Sequence, residues 1–170
     1  MTTPRGAAEE PVAYRAPMRS RDDGVPEGAA VERALALGVV GMGGRVDGHP
    51  SALADALAAV DSRYGERTAR RLERFAALPD GAFVWTRDVD GEAWLGRLRG
   101  PWRYDGSDDA AAVDLVHVRD CVWLDAPVAP SELPAAVTAT FARGGRNGQR
   151  IGVAGAAQDT AAVWARARGQ

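Results

Sequence analysis

DGAFVWTRDVDGEAWLGRLRGPWRYD, residues 80–105, decides how this chain is read. Two β-branched and aromatic runs, about 82–88 and 92–99, flank Asp90-Gly91. That dipeptide supplies the left-handed backbone a two-residue hairpin turn needs. Gly100-Pro101 reads as the end of regular pairing, which leaves Trp102 and Tyr104 at a strand-to-loop junction. The stretch holds three of the five tryptophans, Trp85, Trp94 and Trp102, among Arg87, Arg97, Arg99 and Arg103. Trp94 alternates with Gly96 and Leu98 and reads as core; Trp85 is balanced between core and pocket. Aromatic planes interleaved with guanidinium groups suit a ligand that is flat and anionic, and a nucleotide is both.

On the N-terminal side, the spacing predicts a helix over Ala29–Leu37, stopped by Gly38. A buried strand follows and runs into a glycine bend, Val39-Val40-Gly41-Met42-Gly43-Gly44. It is not a dinucleotide fingerprint, because the position that would close the motif is Val46. Pro50 starts a helix carrying Leu53, Leu57 and Val60. A second helix, about 66–78, has Ala69, Leu72, Phe75 and Ala76 inward and Arg67, Arg70, Arg71 and Arg74 outward. On the C-terminal side, residues 113–124 read as a strand with a slip near Asp120, which suggests a bulge. A short helix over 135–141, a glycine-rich loop over 143–150, a short strand near Ile151 and a helix over 158–168 complete the chain. Trp123 and Trp164 read as core. Residues 1–27, with four prolines and no apolar period, read as a tail or an arm. The folded domain is then 28–170. Runs of strands between helices give an α+β class with a mostly antiparallel, curled sheet or small barrel.

Composition sets limits. The chain has 170 residues, enough for one domain that buries roughly 70% of its unfolded surface. No apolar run approaches the roughly 20 residues of a membrane span, and no export signal is visible at the start. One cysteine agrees with a reducing compartment. A cytoplasmic, nucleoid-associated location is therefore expected. Net charge is −2, so no global basic field exists. All 21 basic residues are arginine. The absence of lysine excludes P-loop, Schiff-base and kinase-type phosphate chemistry.

Catalytic sets are weak. His117 and Cys121 share one face of a strand, but four residues apart puts them roughly 13 Å from each other, too far for a nucleophile and base. The two histidines and one cysteine make no zinc set. The acids Asp88, Asp90, Glu92, Asp105, Asp108 and Asp109 read as solvated turn residues. No metal, no cofactor and no enzymatic activity are expected. Arg143, Arg146, Asn147, Gln149 and Arg150 lie among Gly144, Gly145 and Gly148, where backbone can approach a phosphate and arginine can grip it bidentately.

The order of these pieces resembles the PUA-like superfamily, in its EVE, YTH and SRA-like modified-base-reading branch. The likeness spans about residues 31–151. It rests on the helix running into Gly38-Val-Val-Gly-Met-Gly, the Asp80 hairpin with Trp94-Leu-Gly-Arg-Leu-Arg-Gly, the Trp102-Arg-Tyr-Asp105 segment, and Val116-His-Val-Arg-Asp-Cys-Val-Trp123 followed by Gly145-Arg-Asn-Gly-Gln-Arg-Ile151. Where YTH readers carry a tryptophan after the glycine strand, this chain has Gly44-Arg45-Val46, so an N6-methyladenosine cage is not implied. The chain resembles actinobacterial 5-methylcytosine DNA-binding proteins. The resemblance implies double-stranded DNA with a modified base as partner. The base would flip into a pocket of Gly41, Met42, Gly43, Gly44, Trp85, Trp102, Tyr104, Asp105 and Asn147. An acid such as Asp105 or Asp88 would accept from the cytosine amino group. Arg45, Arg87, Arg103, Arg143, Arg146 and Arg150 would hold phosphates. A modified-RNA reader, a small enzyme on the same scaffold and an oligomer-forming interaction module are the alternatives, and a homo-oligomer is compatible with any of them.

Overall fold

The computed structural model describes residues 10–20, 22–144 and 149–169. Among them the elements run β1 (Ala13–Arg15), α1 (Ala29–Leu37), β2 (Val39–Met42), α2 (Leu53–Tyr64), α3 (Glu66–Ala77), β3 (Phe83–Arg87), β4 (Ala93–Tyr104), α4 (Asp108–Ala112), β5 (His117–Trp123), a 3-10 turn (Pro130–Glu132), α5 (Ala135–Arg143), β6 (Gln149–Arg150) and α6 (Ala156–Arg168). The fold is α+β. Its six-stranded open sheet has the order β2-β5-β4-β3-β1-β6. Only the β1–β3 pairing is parallel; the others are antiparallel. The edges are β2 and β6, so the described strands form a sheet and not a closed barrel.

Strand alternation splits the interior in two. Val84 points into a cluster with Ala34 of α1, Val60 of α2, and Leu72 and Phe75 of α3. Its neighbours Phe83 and Trp85 point the other way, into a cluster with Val137 and Phe141 of α5 and Val163 of α6. A period of 2 in β3 thus feeds both layers. Local signals fix many boundaries. Gly38 caps α1 at φ 68°, the left-handed turn that glycine adopts without steric cost. Ser107 caps α4, its hydroxyl accepting the Ala110 N–H at 3.2 Å.

Two readings change. Residues 13–15 are not tail: they pair with Phe83–Trp85 as β1, and Ala16 and Met18 are buried beyond them. Nor does Gly100-Pro101 end β4. The strand continues to Tyr104 through an irregularity in which Gly100, Pro101 and Trp102 face Arg119 alone, between the pairs Arg99–Asp120 and Arg103–Val118. A bulge is where a strand tolerates proline, since no ladder N–H is needed. The slip expected near Asp120 therefore lies across from it, in β4.

Arg119 holds this bulge to the helical layer. Its side chain is 3% exposed. Nε donates to Gly100 O at 2.8 Å, Nη1 to Leu78 O at 2.6 Å and Phe75 O at 3.3 Å, and Nη2 to Asp80 Oδ1 at 2.8 Å. One guanidinium so serves both the irregular strand and carbonyls at the end of α3, of which Phe75 O also accepts the Leu78 N–H.

Candidate functional site

The site is built on the glycines in and just after β2. A Cβ at Gly41 would collide with the His117 carbonyl, and one at Gly43 with the Asp114 carboxylate. Gly44 lies at φ 115°, a backbone that side chains disfavour. Glycine therefore lets this strand end approach its neighbours closely. Asp114 Oδ1 accepts the Gly44 N–H at 3.1 Å and Oδ2 accepts the Ser20 hydroxyl at 2.9 Å. His117 Nε2 lies 2.8 Å from Gly44 O, and Trp102 Nε1 lies 3.3 Å from His117 Nδ1. The indole N–H can only donate and the carbonyl can only accept. The imidazole is therefore neutral, with its proton on Nε2. The Tyr104 hydroxyl donates to Val46 O at 3.0 Å and accepts the Val46 N–H at 3.1 Å. Tyr104 meets His117 edge-on at 5.3 Å and lies 5.9 Å from the His49 ring.

Strain collects at the same place. The three described non-glycine residues with positive φ are Met18, His49 and Asp114. Asp114 and His49 belong to the contacts just given, and Met18 lies two residues before Ser20. Strained backbone persists only where surrounding contacts over-determine it, and it gathers at functional sites.

Burial pushes the His117 imidazole below its ordinary range, against smaller upward pulls from the Gly44 carbonyl and Asp114. The unfolded chain then binds more protons than the folded one as pH falls through the unfolded value, so stability drops in that direction. The melting temperature should be nearly flat well above the ordinary imidazole value of about 6.5 and fall as pH drops through and below it. His117→Gln should flatten that slope; a slope unchanged in the variant would assign it to other groups.

Arg45 closes one rim. Nη1 donates to Ala111 O and Nη2 to Asp22, each at 2.9 Å. Hydrogen bonding from the Gly24 N–H and then from Arg45 holds the Asp22 carboxyl below its ordinary range. The Tyr64 hydroxyl donates to Arg45 O at 2.7 Å. Asp105 turns away from the glycines. It accepts Arg33 at 3.2 Å and the Ser107 N–H at 3.1 Å. Burial raises its pKa, but bonds from Ser107 and Arg33 outweigh this and hold it low.

A second group of cations lies at the β1–β6 edge. Arg15 is 6% exposed, and its Nε has no hydrogen-bond partner. Burial, then the charges of Arg19 and Arg87, lower its pKa. Arg15 and Arg87 both stack on the Phe141 ring, at 5.7 and 4.6 Å. Phe141 belongs to α5, which ends at Arg143, and Arg150 pairs with Tyr14 in the sheet. Like charges held together, one of them buried with a free donor, create a place where an anion is stabilising.

The structure brings together Gly41, Met42, Gly43, Gly44, Trp102 and Tyr104, with Arg45 on the rim. Trp85 is elsewhere: it is fully buried on the opposite face, donating to Thr160 Oγ1 at 3.1 Å. Trp102 is itself 9% exposed, a wall and not a free surface ring. Asp88 is at the hairpin tip, where Oδ2 accepts Trp94 Nε1 at 2.9 Å, at the far end of β4 from Tyr104. Arg103 is paired with Asp120 at 2.7 Å. Arg146 and Asn147 lie outside the described residues. Sequence reasoning missed Asp114 and Ser20, raised Arg15 only as part of an N-terminal arm, and considered His117 only as a partner of Cys121 or as a zinc ligand. The one local signal for Asp114 was an acid at the threshold of an apolar strand; Ser20 carries none.

Among the described residues no group of three or more His, Cys, Asp or Glu side chains could hold a metal ion. No described helix is long and apolar enough to cross a membrane. No family model and no curated protein matches this sequence.

Proposed function

We propose that the chain is a non-enzymatic reader of modified double-stranded DNA, with 5-methylcytosine as the base it takes, flipped out of the duplex. The observation that carries this reading is one short segment. Residues 15–20 join the arginines at the β1–β6 edge, which form no ion pair among the described residues, to the hydrogen bond between Ser20 and Asp114. Five residues of extended chain span at most about 17 Å. On this reading a phosphate grip and a base seat would lie within a few nucleotides of each other. Gly43 and Gly44 let Asp114 and His117 pack against the strand end, which sets the polar edge a base would meet. Tyr104 and His49 offer ring surfaces, and stacking on such rings is worth roughly 1–3 kcal/mol. That offsets the few kcal/mol a flipped base loses. Asp114, fixed by Gly44 and Ser20, retains lone pairs for a cytosine amino group. Arg19, Arg87, Arg143 and Arg150 would meet phosphates, with Arg15 adding buried positive charge behind them.

A gel-shift comparison of methylated and unmethylated duplexes of one sequence tests this. The methylated duplex is expected to bind more tightly, and equal affinity sinks the base assignment. Tyr104→Ala should bring the two duplexes to one affinity, whereas Arg143→Ala with Arg150→Ala should weaken both alike. A ribose version of the same probe that bound better would move the reading to RNA.

A further inference from the structure

Arg97 and Arg99 belong to β4, yet neither reaches the glycine site. Both line a cavity of about 550 Å³ on the other side of the sheet, between β4 and the C-terminal end of α6, together with Asp80, Val122, Trp164 and Arg168. Arg97 is set in place by more than solvent. Its guanidinium lies 5.0 Å from the Phe83 ring centre and 5.9 Å from that of Trp164, and Nε donates to Gly81 O at 3.2 Å. Arg168 lies 5.5 Å from the same indole. Among the described residues, Arg97, Arg99 and Arg168 form no ion pair. The acid in the lining, Asp80, is engaged by Arg119 at 2.8 Å.

Stacking on an aromatic face orients a guanidinium without neutralising it, so charge and donors stay available. Arg168 has a second reason for its position, since a cation in the last turn complements the helix dipole. Arg97 and Arg99 sit on a strand and have no such reason. Three free guanidinium groups around one concavity, in a protein of net charge −2, constitute a local field that an anion would relieve. The volume is that of a small-ligand pocket, and planar forks match phosphate oxygens. We propose that this cavity is a second anion site, separate from the glycine site, that takes a phosphate group from a mononucleotide-sized ligand or from a nucleic-acid backbone. The inference does not rest on the DNA-reading proposal.

The test titrates the full chain with inorganic triphosphate, with AMP and with an unmethylated duplex, by calorimetry at low salt. The Arg99→Ser, Arg168→Ser double variant is run beside it. Both side chains are exposed, so its melting temperature should match the parent. Loss of AMP and triphosphate binding by roughly tenfold or more in the variant supports the site with a free ligand. If only the duplex weakens, with a salt-dependence slope lower by about 2, the ligand is a backbone. Wild-type binding to none of the three probes, or binding equal in the variant, overturns the proposal. The ratio of affinities for methylated and unmethylated duplexes should be untouched by the double substitution. A changed ratio would overturn the separateness of the two sites, and failure of methyl discrimination alone would leave this one standing.

Discussion

Arg119→Ala should destabilise the chain by about 3–5 kcal/mol, because one buried cation donates to several carbonyls and charge-assisted hydrogen bonds are worth about 1.5–3 kcal/mol each. The guanidinium is 3% exposed and bonds the Gly100, Phe75 and Leu78 carbonyls. Alanine takes the donor from the Gly100 and Leu78 carbonyls while Phe75 O keeps the Leu78 N–H, and each acceptor left buried without a partner costs about 1–3 kcal/mol. Arg119→Lys should recover only part of the loss. An ammonium is a single point of charge and cannot span the bulge and the helix end at once. Asp80→Asn, by contrast, should change stability by less than about 1 kcal/mol, because that carboxylate is 70% exposed. Urea unfolding followed by circular dichroism measures all three. A loss below about 1 kcal/mol for Arg119→Ala would mean that water substitutes for the guanidinium.

Trp85→Ala should cost a similar amount, about 3–5 kcal/mol, as a large-to-small change in a closed core. Trp85 and Thr160 are both 0% exposed, and the indole N–H meets the threonine hydroxyl at 3.1 Å. Thr160→Val keeps the shape but strands the indole donor, which should cost about 1–3 kcal/mol. The functional expectation runs opposite to the stability one. Trp85→Phe should leave any preference for methylated DNA unchanged while lowering the melting temperature. A variant with parental stability and lost discrimination would return Trp85 to the base site.

Local chemistry was legible wherever an element is specified by its own residues. Gly38 ends α1 at the residue expected, and the β3–β4 hairpin forms where expected, but its turn is wider than two residues: the Asp88 carbonyl accepts the Gly91 N–H at 3.0 Å, and of Asp90 and Gly91 only the glycine has positive φ. Leu72 and Phe75 face inward on α3 as their spacing required. What stayed hidden depends on partners distant in sequence. Ala13-Tyr14-Arg15 is too short for any period, and it is a strand because β3 accepts it in parallel. β4 crosses Gly100-Pro101 because Arg119 stitches the bulge, which no reading of the dipeptide alone could reveal. The same holds at the site. Gly43, Gly44 and Tyr104 announce themselves by residue type, but Ser20 and Asp114 meet only through the folded topology. Trp85 went astray because a tryptophan in a two-layered strand gives no sign of which layer it enters.

The pairing of β1 also dictates an order of events during synthesis. The N-terminal strand leaves the ribosome long before β3, the neighbour it joins, and β6 in turn can add only once β1 is seated. The segment that carries Arg15, Ser20 and Asp22 therefore waits, unpaired, while the central hairpin and its helices assemble. The nascent chain should gain its cores first and its arginine edge last. A C-terminal truncation before β3 should leave residues 10–20 open to protease, and extension through β4 should protect them.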